Sequence, residues 1–267
     1  MARRELHLGL DVGTQGAKGV VVDAASGAVI ARAGARYGLI DGLPQGSAEQ
    51  HPRTWIDALG EIGRALWSNV QPKPGELRGI GVSGQQHGLV VLDRVGEVVR
   101  PAKLWCDTST SEESAELSQA LGRSVPAGFT APKVLWMQRR EPDAWRRVER
   151  VLLPHDYVNL RLCGRAAMEP GDASGTGWLD PVERRWDPAA LALLGDLERK
   201  LPPLIPPGSA VGELTPEGAK VLGLGVEHAG ALLAAGGGDN MLSAIGAGAT
   251  RPGIAVLSLG TSATVFG

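Results

Sequence analysis

Cysteine is scarce in this sequence, and its positions do not suggest a covalent framework. The two cysteines, Cys106 and Cys163, form no CxxC pair. So few and so widely spaced cysteines argue against a disulfide scaffold and against a structural zinc site. Because free thiols are typical of reducing compartments, we predict a cytoplasmic protein.

Long apolar runs and an excess of one charge are also absent. No run approaches the roughly 18 apolar residues that a membrane helix needs. The basic start is followed at once by an acid, and no apolar stretch or cleavage site of a signal peptide follows. The 27 basic and 29 acidic residues give a net charge of −2. This balance provides no general attraction to nucleic acid or to an anionic membrane, so we expect neither as a partner.

What the sequence does contain is enough apolar material for a large core. Hydrophobic residues make up 43% of its 267 positions, which allows one large domain or two small ones. Apolar patterns at 5–12, 17–23 and 28–33, separated by glycine-containing turns, predict three strands in an antiparallel meander. Such a start differs from the first unit of a Rossmann fold.

Helical and strand patterns alternate after the meander. We predict helices at 52–70 and 109–121, a helix that begins at Pro132, a helix capped by Asp156 that ends at 162, and a helix at 240–247. Strands are predicted at 77–82, 89–92, 151–153, 231–235 and 254–259. The proline-rich segment 200–216 is predicted to be a loop. This order predicts an α/β fold with a mixed sheet and helices on both faces.

The turn after the first predicted strand is the first motif with chemical potential. Asp11 at the strand end can hold Mg²⁺ through water, since this ion prefers oxygen ligands and keeps much of its hydration. Gly13 lets backbone N–H groups approach phosphate oxygens, Thr14 adds a hydroxyl donor, and Lys18 adds charge. Gln15 belongs to the same turn. The alternative is an ordinary hairpin turn, for which such residues are common. The spacing matches neither a Walker A loop nor a GxGxxG fingerprint.

A second turn of similar composition follows the last predicted strand. Gly260, Thr261 and Ser262 repeat the pattern of a strand followed by glycine and threonine. One such turn is weak evidence by itself, but two can clamp a polyphosphate between them. The pair therefore predicts a phosphate-binding cleft.

A run of three glycines, Gly236 to Gly238, separates a strand pattern from a helix pattern and is followed by Asp239 and Asn240. Glycines remove side chains where a substrate must approach the backbone. Asp239 can accept a proton from an attacking hydroxyl, because phosphoryl transfer needs positioning and charge neutralisation more than a strong base. The alternative is that Asp239 only caps the following helix.

Two further polar segments are candidates for sugar binding. Gln86 and His87 follow a strand, and their amide and imidazole groups suit sugar hydroxyls. Trp105 offers an apolar wall to the C–H face of a sugar, and Asp107 can accept hydroxyl hydrogen bonds. The alternatives are a polar loop with a satisfied histidine, and a core tryptophan beside a helix-capping aspartate.

At these residues the sequence resembles the carbohydrate kinases that carry the Phe-Gly-Gly-Tyr signature. The resemblance covers essentially the whole chain, including the segments 128–133 and 152–157, and the order and spacing of five motifs make it specific. It implies an actin-like, ribonuclease-H-like fold, in which two such domains enclose a cleft for ATP and sugar. This chain matches the first domain, so we expect 1–267 to be the sugar- and phosphate-binding domain.

The resemblance also implies a role for individual residues. Asp11 lies near the Mg²⁺ ion, and Asp239 is the base that deprotonates the sugar hydroxyl. The phosphate loops contain Gly13 and Thr14 on one side and Gly260 and Thr261 on the other. The implied sugar-binding positions are Gln86, His87, Asp107 and Asn240.

By this resemblance the expected reaction is transfer of the γ-phosphoryl group of ATP to D-xylulose. Kinases for gluconate, ribulose or another polyol remain alternatives, as does a sugar-binding fragment without activity. The family's second domain, which supplies most adenine and ribose contacts, has no match in this chain, and we expect such a domain or a homodimer partner to complete the site. A second departure lies ahead of Glu49, where Ser47 and Ala48 replace a frequent aromatic residue.

Overall fold

The structure is a computed structural model that describes residues 4–259 and 263–266. Within these residues the strands are β1 (Leu6–Val12), β2 (Gly16–Asp23), β3 (Val29–Arg36), β4 (Glu49–Gln50), β5 (Leu77–Gly84), β6 (Val90–Leu92), β7 (Ala102–Lys103), β8 (Arg150–Leu152), β9 (Leu179–Asp180), β10 (Arg185–Trp186), β11 (Ala210–Glu213), β12 (Leu232–Ala234), β13 (Gly237–Gly238), β14 (Val256–Leu259) and β15 (Ala263–Phe266). The α-helices are α1 (Pro52–Val70), α2 (Ser111–Leu121), α3 (Thr130–Arg140), α4 (Pro142–Arg147), α5 (Pro154–Cys163), α6 (Pro170–Ala173), α7 (Pro188–Ala192), α8 (Pro216–Val221) and α9 (Asp239–Gly246).

The main sheet begins with the antiparallel meander β1–β2–β3, as its apolar alternation predicts. Its strand order is β11-β12-β5-β1-β2-β3, and the short strand β13 also pairs with β5. Strands β5, β12 and β13 run parallel to β1, whereas β2, β3 and β11 run antiparallel to their neighbours. The mixed sheet is therefore confirmed, and the ends of β1, β5 and β13 lie at one edge.

Helices lie on both faces of this sheet. Leu8 and Leu10 of β1 belong to a buried core that also contains residues of α1, α5 and α8, among them Trp55 and Ile62 of α1. Each such side chain contributes about 1.5–3 kcal/mol when it leaves water, so this stripe is the main reason why α1 docks. Helix α9 lies on the opposite face, because its residues line a cavity together with Asp11, which alternates with Leu10 along β1.

A second apolar core lies outside the main sheet and supports the loops near its edge. It contains Val134 and Met137 of α3 together with Trp178, all fully buried. Beside it, the fully buried Lys133 donates to the carbonyl oxygens of residues 127, 128 and 129 at 3.0, 2.6 and 2.7 Å. Lys133 thereby fixes the loop that packs against Trp105 and His87.

Three local predictions were wrong. Pro132 is the third residue of α3 and not the first; this is tolerated because N–H groups in the first turn have no partner within the helix. Asp156 is not the N-cap of α5, a position that Leu153 occupies; it lies in the first turn, where its carboxylate still helps to cap the helix by accepting the N–H of Leu153 at 3.0 Å. Residues 210–213 form strand β11 inside the predicted loop, because Val211 is buried and β11 pairs with β12.

None of the helices in residues 4–259 and 263–266 is long and apolar enough to span a membrane.

Candidate active site

The register of the sheet brings three strand ends into one row. Asp11 of β1 lies opposite Ser83 of β5, and Ser83 lies opposite Gly237 of β13. The Ser83 hydroxyl donates to Asp11 Oδ1 at 3.0 Å. Since α9 starts at Asp239, immediately after β13, the same edge carries a second carboxylate.

These elements enclose a cavity of about 220 Å³. It is lined by Asp11, Asp239, Asn240, Ser243, Ala244, Val256 and Phe266. Two carboxylates, an amide and a hydroxyl therefore face a common space, with apolar groups completing the wall. The structure thus brings together the predicted metal-binding aspartate, the predicted base and one predicted sugar-binding residue.

Asp239 is held in a conformation that leaves its carboxylate available to the cavity. Gly238 occupies the cap position of α9, so Asp239 is the first helical residue and not the N-cap. One carboxylate oxygen, Oδ1, accepts the N–H of Asn240 at 2.9 Å. Burial raises the pKa of Asp239 to about 6, and the nearby Asp11 and Asp172 carboxylates act in the same direction. The group is therefore a stronger base than an ordinary aspartate, yet it is mostly ionised at neutral pH.

Two of the three glycines before Asp239 are required by packing. Gly236 has φ of +75°, and a Cβ atom there would lie 2.3 Å from the carbonyl oxygen of Val82. A Cβ atom at Gly238 would lie 2.4 Å from Gln86 Nε2. The glycine run therefore lets the chain pass close to β5 and to the Gln86 side chain.

The predicted phosphate turn is a tight connection between β1 and β2. The N–H of Gly13 donates to the carbonyl oxygen of Gly16 at 3.0 Å. The Trp105 indole N–H donates to Thr14 Oγ1 at 2.9 Å, while the Trp105 side chain remains 44% exposed. Trp105 thus contacts the turn with its polar edge and keeps an apolar surface open.

Buried glutamine side chains form hydrogen bonds that hold this turn in place. Thr14 Oγ1 donates to Gln85 Oε1 at 3.1 Å, and Gln85 Nε2 donates to Gln50 Oε1 at 3.1 Å. Gln50 Nε2 in turn donates to the Thr14 carbonyl oxygen at 2.6 Å, and the Tyr37 hydroxyl donates to the Gly13 carbonyl oxygen at 2.8 Å. With its carbonyls engaged, the turn is positioned as a unit.

Gln86 and His87 take different roles in the structure. Gln86 Oε1 accepts from Asn240 Nδ2 at 3.0 Å, which joins the loop after β5 to the start of α9. His87 has φ of +66° and its ring lies edge-on to Phe129, with centroids 5.0 Å apart. Burial lowers the pKa of His87 to about 4, so the imidazole is neutral and able to donate or accept a hydrogen bond.

Comparison with known proteins decides the family. Residues 6–246 match the FGGY family of carbohydrate kinases, N-terminal domain. The chain belongs to the FGGY family of carbohydrate kinases.

Individual relatives agree with this assignment. A xylulose kinase from Streptomyces coelicolor is 41% identical over 276 residues, which cover 99% of this chain and 54% of the relative. The crystal structure of a xyloylose kinase from Brucella ovis is 37% identical with a TM-score of 0.87, covering 98% of this chain and 53% of that one. A gluconate kinase from Lactobacillus acidophilus has a TM-score of 0.86 at 25% identity, with coverages of 98% and 54%. The chain spans about half the length of the curated relatives it matches.

The actin-like fold expected for an FGGY kinase is confirmed by these structures, but not every predicted residue faces the cavity. Asp107 is fully buried and accepts hydrogen bonds from the N–H of Ala48 at 2.9 Å, from Ser109 Oγ at 2.6 Å and from Lys103 Nζ at 3.1 Å. Although burial opposes it, these donors lower the pKa of Asp107. The carboxylate therefore ties residues 47–50 to the segment after β7, and direct contact with a sugar stays a prediction.

Other predicted phosphate-binding residues lie at the edge of the site or outside the described part. Gln15 and Lys18 are exposed, and Lys18 lies opposite Asp11 in the β1–β2 register. Gly260, Thr261 and Ser262 are outside the described residues. Their neighbours in β14 and β15 pair with each other and contribute Val256 and Phe266 to the cavity.

The donor set of the cavity fits the divalent ion that an FGGY kinase implies. Within residues 4–259 and 263–266, no three His, Cys, Asp or Glu side chains form a group that could hold a metal. Two carboxylates, Asp11 and Asp239, nevertheless line one cavity. Mg²⁺ suits such a site, because it keeps several waters and is usually bound by one or two carboxylates together with substrate phosphates.

Several residues that shape this FGGY-family site were missed by the sequence reasoning. Gln50 and Gln85 support the phosphate turn, and Ser83 orients Asp11. His155 and Asp172 are buried behind Gln86, with His155 Nδ1 and Asp172 Oδ2 2.5 Å apart. The only available signal was a polar residue beside an already identified motif, as for Gln85 next to Gln86.

Proposed function

We propose that this chain is the sugar- and phosphate-binding part of a kinase that converts D-xylulose and ATP into D-xylulose 5-phosphate and ADP. The observation that carries the proposal is the cavity shared by Asp11 and Asp239 at the ends of β1 and β13. A carboxylate for a metal-bound phosphate and a carboxylate for a hydroxyl proton are the two acidic groups that this chemistry needs. The family assignment and the xylulose kinases among the relatives support the same reaction.

Asp239 acts as the base in this proposal. It accepts the proton of the primary hydroxyl as that oxygen bonds to the γ-phosphorus of ATP, and ADP leaves with the electrons of the broken P–O bond. A pKa of about 6 suits the role, because the carboxylate is ionised at neutral pH and still able to take a proton. Asn240, on the next position of α9, binds a neighbouring part of the sugar.

The phosphate turn and Asp11 bind the other substrate. Backbone N–H groups of the turn bind phosphate oxygens, while the Thr14 hydroxyl donates to Gln85, so that Gln50 and Gln85 fix the turn. Asp11, oriented by Ser83, would hold Mg²⁺ through its water shell. When bound, Mg²⁺ neutralises charge on the phosphates and helps to position them. Trp105 would cover the C–H face of the sugar.

We further propose that residues outside this chain complete the nucleotide site. The relatives' greater length supports this, since this chain covers 54–56% of the first curated relatives. In that arrangement residues 1–267 form one functional domain, and closure of a second domain over it would exclude water from the transfer.

The main alternative keeps the chemistry and changes the sugar. The similarity to the Lactobacillus acidophilus gluconate kinase structure favours gluconate as the second candidate. Sugar binding without catalysis by this chain alone is the other alternative.

A sugar panel tests the proposal directly. The chain, alone and joined to a matching second domain, is titrated calorimetrically with D-xylulose, D-ribulose, D-gluconate and glycerol, and ATP consumption is then measured with each. Tightest binding and fastest ATP consumption with D-xylulose are expected. A clear preference for gluconate would replace the substrate, and no sugar-dependent ATP consumption by the joined protein would contradict the kinase function.

A further inference from the structure

A buried chain of hydrogen bonds runs from the protein interior to the candidate sugar site. Its inner end is the contact between His155 Nδ1 and Asp172 Oδ2, at 2.5 Å. Gln86 Nε2 donates to the other oxygen of this carboxylate, Asp172 Oδ1, at 3.3 Å. Asn240 Nδ2 then donates to Gln86 Oε1 at 3.0 Å. His155 and Asp172 are 1% and 0% exposed, whereas Asn240 lines the cavity beside Asp239.

The direction of each hydrogen bond in this chain follows from its inner end. An ionised carboxylate can only accept, so Gln86 must turn its NH₂ group toward Asp172. The Gln86 oxygen therefore faces Asn240, and Asn240 must use its own NH₂ group to reach it. Asn240 Oδ1 accepts no hydrogen bond from any described residue and is therefore available to accept one from a ligand.

His155 is the donor that faces the other oxygen of Asp172, at the inner end of this network. Burial alone would lower the pKa of His155, but the carboxylates of Asp156 and Asp172, with a contribution from Glu169, raise it to about 9. A protonated imidazole therefore lies against Asp172 at neutral pH. Glu169 accepts the N–H groups of Gly171 and Asp172 at 2.7 and 2.5 Å, which fixes the backbone that carries the carboxylate.

From this arrangement we propose that Asp172 is a positioning residue that makes Asn240 a hydrogen-bond acceptor toward the substrate. The cavity then presents two neighbouring acceptors, the Asp239 carboxylate and Asn240 Oδ1. Two acceptors side by side select two hydroxyl donors, so the substrate must carry a free hydroxyl next to the one that is phosphorylated. This inference rests on the proposed kinase function and specifies a determinant of its sugar selectivity.

Replacement of the carboxylate by an amide tests the inference with little change of shape. In Asp172→Asn the new amide can donate, so Gln86 is no longer forced into one orientation. The affinity for D-xylulose is expected to fall about tenfold, which corresponds to one hydrogen bond of about 1.4 kcal/mol. The affinity for D-xylulose lacking the hydroxyl at carbon 4 should stay the same, because that analogue never used the acceptor. Calorimetric titration of the protein with both sugars measures the difference.

A matched control and a coupling experiment separate positioning from general damage. Asp156→Asn alters the same buried cluster and removes a negative charge beside His155, since Asp156 lies 3.2 Å from His155 Nε2, but it leaves the Asp172 carboxylate and its contact with Gln86 in place. We expect its sugar selectivity to remain within about twofold of the wild type. In an Asn240→Ala background, Asp172→Asn should cause no further loss, because its effect passes through Asn240.

If Asp172→Asn does not fold, Gln86→Met provides a second test, because it removes the side chain that connects Asp172 to Asn240. It should also lose the discrimination between the two sugars. Unchanged discrimination in a folded Asp172→Asn or Gln86→Met protein, or equal losses from Asp172→Asn with and without Asn240, would overturn the inference alone. If the wild type binds none of the panel sugars, the proposed function fails, and the inference falls with it.

Discussion

Replacement of Asp239 by asparagine should stabilise the fold while abolishing the reaction, and only the stabilisation should vanish at low pH. Burial raises the pKa of this carboxyl from its ordinary value of 3.8 to about 6 in the folded chain. Between these two values the folded state binds a proton that the unfolded state has released. The stability of the wild type therefore falls as the pH rises from about 4 through about 6, and above that range the cost of the buried charge is complete.

The size of the effect follows from the difference between the two pKa values. A difference of about two corresponds to nearly 3 kcal/mol as an upper limit, because one pKa unit is about 1.36 kcal/mol. Asp239 is only partly buried and lines an open cavity, so solvent screening reduces this figure. We expect Asp239→Asn to raise the free energy of unfolding by about 1–2 kcal/mol at pH 8 and by less than about 0.5 kcal/mol at pH 4.

Urea unfolding followed by circular dichroism measures this at pH values from 4 to 8. Both proteins are compared at each pH, so changes elsewhere in the molecule cancel. A stabilisation that is equal at pH 4 and pH 8, or a variant less stable than the wild type at pH 8, would show that Asp239 is not a buried base with a raised pKa.

Three further predictions concern the same edge of the sheet. Gln85→Ala should lower the free energy of unfolding, measured with urea, by about 2–3 kcal/mol, because it leaves buried partners of the phosphate turn without hydrogen bonds. Its control, Gln15→Ala in the exposed part of that turn, should change this free energy by less than about 0.5 kcal/mol. Equal effects of the two variants would contradict the role of Gln85 in holding the turn in place. Gly238→Ala should weaken sugar binding at least tenfold by calorimetry, because the new Cβ must displace Gln86. Its control is Gly246→Ala at the other end of α9, where a Cβ meets no atom within 4 Å, and comparable losses in both would disprove the packing argument. In the assembled enzyme, kcat/KM for the sugar should rise with pH through about 6 and then level off as Asp239 loses its proton; a flat profile from pH 5 to 8 would exclude Asp239 as the titrating base.

Elements with strong local signals were predictable from the sequence. The meander alternates apolar residues, and the helix predicted at 52–70 matches α1 because Pro52 can start a helix and a stripe of buried residues follows. The ends of helices and strands were predicted less accurately where contacts with distant parts of the chain determine them. Strand β11 lies among prolines, and only its pairing with β12 makes it a strand.

The composition of the site was predictable, but its connections were not. Motif order and family resemblance singled out Asp11, Asp239 and Asn240, which the register of β1, β5 and β13 then places around one cavity. The carboxylate of Asp107 accepts the N–H of Ala48, 59 positions away, and no local pattern reveals that contact. The contact between Gln86 and Asp172 joins residues 86 positions apart, and no periodicity encodes such a pair.

In the proposed reaction the carboxylate of Asp239 takes a proton from a sugar hydroxyl during phosphoryl transfer. The most direct measurement is ³¹P NMR detection of the sugar phosphate formed from D-xylulose and ATP by the chain joined to a matching second domain, with wild-type Asp239 and with Asp239→Asn. We expect D-xylulose 5-phosphate to accumulate with the wild type and not to be detected with the variant, although both bind D-xylulose. Product formation by Asp239→Asn at a rate near that of the wild type would contradict it.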